Sequence, residues 1–536
     1  VPDAIFPTIL LPLGNVGYAT DLPKQARSLT HYERADNVIY EVGGQIRKFG
    51  GAEKINAQAL TGAVTGMYDY WFGGGSLGFT QKFIATSANG KIWKDDGDGV
   101  FDDITGAATI TNNAIPVFGT ATNLLIIAFH TRNPILQWTG AGVVSALSSA
   151  PLGKGFVFHG NRGWIWDGSI LYYSAYGDVT DWTGMDTGNF VIDAGDGDEI
   201  VGCASHTRSN LIVFKGPNTG SIHTISGTAP SGADAYVKDV VCRGLPLQSP
   251  HGLIQLGDGD LAFMTPRGLH LLSTVFQYGN FAPKDITRYL RRHFRELISR
   301  ANMNATWGVD YKEKNCLLWA TTTVGATRND QMFGMSYTRL AEDNWKPFTV
   351  TRECYSMAIR KNPTTKIDEV VTGSADGFVR RQDINLRSLD GITPYTYNLT
   401  SPRLLIGTVD AAGKPRGDMP GVLESIYVRS ESTGDYTLYG SFSRDNLPAE
   451  TYGFALGETI GDFVLGTSIL GVGRLGTNDA MEIAYSNPSA VGECRSLKFT
   501  LLQGGLDQDA NLLEMGIEYT PAGQTRKSPV QSARDT

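Results

Sequence analysis

The chain has 536 residues, a formal net charge of −8, 19% charged residues, 10% aromatic residues and 64 glycines. That length exceeds a single hydrophobic core and sets a prior of roughly two to four domains. The composition is that of a turn-rich all-β protein. The acidic balance argues against a phosphate-gripping nucleic-acid binder, whose affinity comes from clustered Lys and Arg.

Residues 1 to 58 read as an extended arm, because Pro2, Pro7, Pro12 and Pro23 keep the early part out of regular helix. The apolar run Ala4 to Leu13 lacks a basic flank and contains two of those prolines, so it reads as neither a signal peptide nor a membrane span. Segments at chain ends are ordered only when tied down. The arm and the polar tail 521 to 536 are therefore expected to pack on the body or on neighbouring subunits.

From 59 to 390 one phrase keeps returning: a polar turn with glycine, then aromatic and β-branched residues. It reads Ser87-Ala88-Asn89-Gly90-Lys91-Ile92-Trp93, then Asn161-Arg162-Gly163-Trp164-Ile165-Trp166, then Asn218-Thr219-Gly220-Ser221-Ile222-His223. It returns as Pro266-Arg267-Gly268-Leu269-His270-Leu271 and as Ser374-Ala375-Asp376-Gly377-Phe378-Val379. Each glycine is expected to supply the positive φ of a hairpin turn. Weaker units at Asn133 to Trp138 and Met332 to Ser336 fill the larger gaps. A period of roughly 40 to 50 residues with several strands per unit is the signature of a β-propeller, here of about seven blades. One segment breaks the pattern. Asp285 to Arg300 places Ile286, Tyr289, Leu290, Phe294, Leu297 and Ile298 on one helical face, and predicts an inserted helix. Its other side carries Arg288, Arg291, Arg292 and Arg295, a basic surface that is solvated or faces a neighbouring subunit, or DNA.

Residues 391 to 520 predict a β-sandwich accessory domain. Leu497, Phe499 and Leu501 alternate with polar residues, as do Leu513, Met515, Ile517 and Tyr519, in the period of half-buried strands. Ser432 to Asp435 reads as a hairpin tip. Leu-Gly recurs at five-residue spacing from 465 to 476, as a glycine-rich excursion.

Motifs that carry chemistry are sparse. Gly74-Gly75-Ser76-Leu77-Gly78 matches the hydrolase nucleophile elbow but is followed by a strand pattern rather than a helix. Gly471 to Gly476 matches the dinucleotide fingerprint without a βαβ unit around it. Two acidic turns, Asp95 to Asp103 and Asp193 to Glu199, have carboxylates in the style of calcium loops, with Asp196, Asp198 and Glu199 as candidate ligands. Neither keeps EF-hand spacing, and Asp and Gly are also what ordinary turns select. Cys203, Cys242, Cys316, Cys354 and Cys494 are odd in number and form no CxxC pair, which predicts reduced thiols in a protein made in a cytosol. The chain is expected to hold no cofactor and not to be an enzyme.

Further phrases extend the pattern. Asp21-Leu22-Pro23, Ala35-Asp36-Asn37-Val38, Gly43-Gly44, Ile46-Arg47-Lys48 and Gly50 open the series. Tyr173-Ser174-Ala175 with Asp178 and Asp181-Trp182, and Asn210 to Lys215, continue it. Ser249-Pro250-His251-Gly252 and Thr265 to Leu269 close it. In this order, over residues 17 to about 300, the chain resembles the β-propeller nozzle or hub proteins of tailed, short-tailed bacteriophages. The resemblance implies a virion structural protein that forms a homohexameric ring below the portal or tail adaptor. It implies contacts with those and other tail proteins, and viral DNA passing through the lumen without sequence-specific binding. It places the protein in the virion tail, after synthesis in the bacterial host cytoplasm. A receptor- or glycan-binding tail component, or a propeller glycan hydrolase, stands as the alternative.

Overall fold

The computed structural model describes residues 8–11, 17, 19–21, 31–41, 44–74, 78–207, 210–232, 234–256, 259–275, 280–337, 345–405, 421–431, 436–445, 447–455, 481–486 and 493–521. Among them the regular structure is almost entirely β. Five successive four-stranded antiparallel sheets follow one another in the chain. Sheet I is Val64–Gly73, Phe79–Ser87, Lys91–Asp95 and Phe101–Asp103. Sheet II runs from Pro116–Ala121 to Ser145–Ala146, sheet III from Gly155–His159 to Gly188–Val191, sheet IV from Glu199–Thr207 to Val237–Arg243, and sheet V from Leu253–Gln255 to Asn280–Asp285. Sheet VI begins with the four strands from Trp307–Tyr311 to Trp345–Thr351. Sheet VII takes three strands, Ser356–Lys361, Asp368–Gly373 and Val379–Ile384, and completes itself with Gly51–Lys54 from near the start of the chain.

The first strand of each sheet lies against the first strand of the next, and Ser356–Lys361 of sheet VII returns against Val64–Gly73 of sheet I. This is a β-propeller. First strands differ in length, from Leu253–Gln255 to Val64–Gly73, and pack against one another around the ring. Second strands such as Leu124–Phe129 and Cys316–Thr321 are buried nearly throughout, as continuous hydrophobic runs require. Aromatic clusters sit between sheets, including Trp164 with Tyr173, Phe190 and Tyr236.

The glycines of the repeated phrase divide. Gly90, Gly220, Gly268 and Gly377 have positive φ, as the hairpin reading expects. Gly163 does not: it lies within Arg162–Asp167, where a Cβ would meet the Phe156 ring at 2.9 Å, and the turn before it is made by Gly160 and Asn161.

Sheet VI does not end at its fourth strand. Arg34–Asp36 pairs with Trp345–Thr351 on one side and with Tyr397–Thr400 on the other, and the ladder continues through Ser496–Gln503, Thr437–Arg444 and Glu450–Ala455. A second sheet joins Val38–Tyr40, Ile46–Lys48, Asn511–Pro521, Gly421–Glu431 and Met481–Ser486, and Thr8–Leu11 pairs with Asn511–Pro521. Strands before residue 58 therefore belong to sheets on both sides of the expected boundary at 390. The tail after Pro521, the Leu-Gly run, the fingerprint at 471 to 476, the tip at 432 to 435 and the centre of the elbow at 75 to 77 lie outside the described residues.

The alternation expected near the end of the chain holds for Met515, Ile517 and Tyr519, which are buried. It breaks at Leu513. A bulge between Arg429 and Ser430 turns Leu512 inward in its place, because an extra residue shifts the face by one.

The helix expected over 285 to 300 is shorter, Arg291 to Leu297, and is finished as a π-helix from His293 to Leu297. Asp285 instead ends a strand of sheet V. Its Oδ1 accepts from the Thr287 amide at 2.9 Å, Thr287 Oγ1 accepts from the Leu269 amide at 2.9 Å, and Ile286 N donates to Leu269 O. This Asp/Thr turn competes with helical hydrogen bonding, and helical periodicity alone does not report it.

The seam between sheets VII and I carries a buried ion pair. Arg360 Nη2 lies 2.9 Å from Asp95 Oδ2, with the carboxylate fully buried and the guanidinium 5% exposed. The other Asp95 oxygen accepts from the amides of Gly97 and Gly99. Arg360→Ala leaves that carboxylate uncompensated and is expected to lower stability by about 3–5 kcal/mol. Denaturant titration checks this; a loss below about 1 kcal/mol, the range of exposed pairs, would show that the pair does not hold the seam.

Candidate functional site

The first strands enclose a central cavity of about 410 Å³. Its wall is mainly apolar, with Tyr68, Phe118, Phe156, Trp166 and Trp307 contributing rings. His251 stacks on Trp307 with ring centroids 3.5 Å apart and planes 8° from parallel, and its Nε2 donates to the Pro116 carbonyl at 2.7 Å. Burial pulls the imidazole down to about 4, so it is neutral at ordinary pH. The one carboxylate in the wall, Asp69, accepts from Trp71 Nε1, Gln81 Nε2 and the Lys361 amide at 2.9–3.0 Å. Glycoside hydrolysis by acid and nucleophile needs two facing carboxylates. The described wall brings one, already held by three donors.

The candidate calcium ligands go to three different partners. Asp196 accepts from the fully buried Lys215 ammonium at 2.7 and 2.8 Å. Asp198 accepts from the amides of Asn218, Thr219 and Gly220, and so organises the turn that opens the third strand of sheet IV. Glu199 pairs with Lys154 at 2.6 Å. The neighbouring Asp193 bonds Lys238 and Arg243, which hold its carboxyl down at about 2. In the first acidic turn Asp96 pairs with Lys82 and Lys94, Asp102 with Lys94, and Asp103 with Lys91. No group of three or more His, Cys, Asp or Glu converges as a metal site among the described residues. The turns use their carboxylates as internal caps and ion pairs, which is the role Asp and Asn serve in tight turns generally.

The basic residues are brought together on one exposed turn. Arg291, Arg292 and Arg295 have side chains 63–69% exposed; Arg291 pairs with Asp285, and Arg292 and Arg295 both pair with Glu296. Arg288 lies over the Tyr289 ring at 4.7 Å. The turn is docked on the arm, since Thr20 N and Asp21 N donate to Tyr289 O and Asp21 Oδ1 accepts from the Arg292 amide. Cys203, Cys242, Cys316 and Cys354 are free thiols, and burial pushes that of Cys242 up to about 11.

No family model matches the chain, and no curated protein matches it. Among solved structures it is similar to YCF48 bound to D1 peptide, at 11% identity and TM-score 0.38, over 62% of this chain and 97% of that one. It is also similar to regucalcin, a calcium-binding protein from Agrobacterium tumefaciens, at 11% identity and TM-score 0.32, over 50% of this chain and 88% of that one. The exo-β-1,3-galactanase of Phanerochaete chrysosporium follows at 8% identity and TM-score 0.27, over 90% and 100%. Likenesses this distant carry nothing about activity.

Sequence reasoning missed the buried cations. Lys215 and Lys48 sit in strand patterns where Lys reads as solvent-facing, and only their partners, 19 residues away for Asp196 and 460 for the Gln508 carbonyl, show why they are inside. Nearby acidic turns were the one available signal for Lys215.

Two outcomes follow from this chemistry. Because the three candidate carboxylates are held by Lys215, backbone amides and Lys154, the melting temperature is expected to be the same in calcium and in chelator; a rise with calcium would show a cation site in these turns. His159, His251 and His293 are each pulled by burial down to about 4. The unfolded chain binds those protons from its ordinary value of 6.5 downward, while the folded chain refuses them until about 4. Stability is therefore complete above pH 6.5 and falls as pH drops through that window. Denaturant titrations from pH 7 to 4 check the slope, and His251→Phe, which retains a ring against Trp307, is expected to make it shallower.

Proposed function

We propose that this chain is a structural protein of a bacteriophage tail: a seven-bladed propeller with a C-terminal β-sandwich, assembled as a homohexameric nozzle or hub ring around the DNA exit channel. The observation that carries the proposal is the weave of the chain. Segments from before residue 58 and after residue 390 complete and extend propeller sheets VI and VII, so that propeller and accessory strands share hydrogen-bonded ladders. Ladders resist displacement along their whole length, and that suits a part that retains and releases a pressurised polyanion by its shape. The ordered family phrases support the same reading. So does the net charge of −8, since a basic bore would hold DNA through counterion release. Arg288, Arg291, Arg292 and Arg295 then serve as a subunit-facing basic patch meeting an acidic neighbour. Genome retention and ejection are mechanical in this reading, and no residue is assigned a catalytic role.

A symmetry-classified electron-microscopy average of the purified assembly or particle tests it. A sixfold ring around the DNA path at the tail end is expected. Charge reversal at Arg291, Arg292 and Arg295 together is expected to shift the sedimenting species from ring toward monomer. A monomer in the native particle, or a peripheral threefold appendage, would overturn the reading.

A further inference from the structure

The carboxylate of Asp69 stands in the wall of the central cavity with neutral partners only. We propose that this cavity, about 410 Å³ in volume, binds a trimethylammonium group, with Asp69 as its counter-charge and the Tyr68 and Phe118 rings as its apolar bed. The inference does not rest on the hexameric ring proposed above, since the cavity lies within one subunit.

The first argument is the state of Asp69. Its donors are the Trp71 indole, the Gln81 side-chain amide and the Lys361 backbone N–H, and none of these carries a charge. The other carboxylates of sheet I have cationic partners: Asp95 has Arg360, Asp96 has Lys82, Asp102 has Lys94 and Asp103 has Lys91. Among the described residues no Lys, Arg or His side chain pairs with Asp69. Neutral donors hold a carboxylate in place without cancelling its charge. They also occupy its oxygens, since a carboxylate has about four acceptor sites and three are taken here.

That state discriminates among cations. A primary ammonium or a guanidinium brings three to five N–H groups that each need an acceptor. A calcium ion needs about six to eight oxygen ligands. A trimethylammonium group carries the same single positive charge as an amine, has no N–H to satisfy, and presents methyl groups to its surroundings. A fixed carboxylate with most of its acceptor sites filled therefore favours it.

The second argument is the rings. Tyr68 and Asp69 are consecutive on Val64–Gly73, so their side chains leave opposite faces of one strand at the cavity wall. The Tyr68 ring stacks on that of Phe118 from sheet II, with centroids 5.4 Å apart and planes 17° from parallel, and its hydroxyl shares a hydrogen bond of 3.0 Å with Thr120 Oγ1. Both rings are half-buried, whereas Phe156, Trp166 and Trp307 are only 2–4% exposed. The ring surface left accessible thus belongs mainly to the pair beside the carboxylate. Aromatic faces attract organic cations, and more strongly where water is excluded. His251, kept neutral by burial, does not oppose a cation. The volume is that of a small-molecule site, for which about 300–1,000 Å³ is usual.

A trimethylammonium group can arrive on a free small molecule such as choline or on a trimethylated lysine side chain, and isothermal titration calorimetry on the full native chain separates the two. The probes are choline, 3,3-dimethylbutan-1-ol as its uncharged isostere, n-butylammonium as a primary amine, and a peptide with trimethyl-lysine beside its unmethylated form. Choline or the methylated peptide is expected to bind about tenfold or more tightly than its counterpart without the trimethylammonium group. Binding of choline assigns a free small molecule, and binding of the methylated peptide alone assigns a protein side chain. Asp69→Asn, which keeps the side chain's size, is expected to weaken binding about tenfold or more, with its melting temperature reporting whether the fold survives. Phe118→Leu leaves Asp69 and its donors in place and is expected to weaken binding about fivefold. No binding by either trimethylammonium probe, equal binding of choline and its uncharged isostere or n-butylammonium, or undiminished binding in whichever variant folds would overturn the proposal.

Discussion

The structure depends on the pairing of Gly51–Lys54 with Val379–Ile384. Each sheet of the ring packs on its two neighbours, so a last sheet left with three strands would leave an open hydrogen-bonding edge and a gap in the packing. The chain fills that edge with its own beginning. Bringing together groups 336 residues apart, as Arg47 and Asp383 are, carries a loop-closure cost of roughly 5 kcal/mol beyond a constant. The junction must hold at least that strongly. Arg381 pairs with Glu53 on the closing strand and with Glu369 on its neighbour, Arg380 with Asp376 and Asp390, and the Lys54 ammonium lies 4.0 Å from the Phe378 ring centroid.

Behind the exposed pairs lies a buried one that joins three parts of the molecule. Asp383, fully buried, accepts from Arg47 Nη2 and from the Gly50 amide at 2.7 Å. Arg352 Nη1 donates to Gln382 Oε1 and its Nη2 to the Gly50 carbonyl, and the same guanidinium lies over the Phe49 and Tyr395 rings. Arg387 reaches Asp509 at 2.7 Å, while Lys48 Nζ donates to the Gln508 carbonyl at 3.0 Å. Hydrogen bonds to charged groups contribute about 1.5–3 kcal/mol each, so a few of them match the closure cost. Burial lowers Lys48 to about 8, against the pull of Asp509 and Asp507. Partnered burial of charge is weak as net stabilisation and strong as register, because any slip leaves a charge inside without its partner.

The propeller was legible because it rests on local signals. Turn residues at fixed offsets and β-branched or aromatic runs recur within one sheet, and the weak units at Asn133 and Met332 lie where strands Leu136–Trp138 and Gln331–Tyr337 stand. What escaped was non-local. Ala52 reads as arm because nothing near it says that its partner is Gln382. The basic segment read as a long helix because Ile286, Leu290, Phe294 and Ile298 keep helical spacing, while the decisive contacts, Thr287 to Leu269 and Ile298 to Thr323, cross to other strands. Of the candidate sites, the acidic turns were found by composition, but their caps and partners were not.

Charge is sorted in space. Carboxylates at the turns of sheets I and IV are matched one by one with Lys, Arg or backbone amides, and the seam and the closing junction repeat the pattern with buried pairs. Matching of this kind fixes geometry. Exposed arginines gather on the Arg288 to Arg295 turn, where Asp285 pairs with Arg291 and Glu296 with Arg292 and Arg295, at the surface and anchored on the arm. The buried pairs fix the sheets against one another, while Arg291, Arg292 and Arg295 keep their charge at the surface.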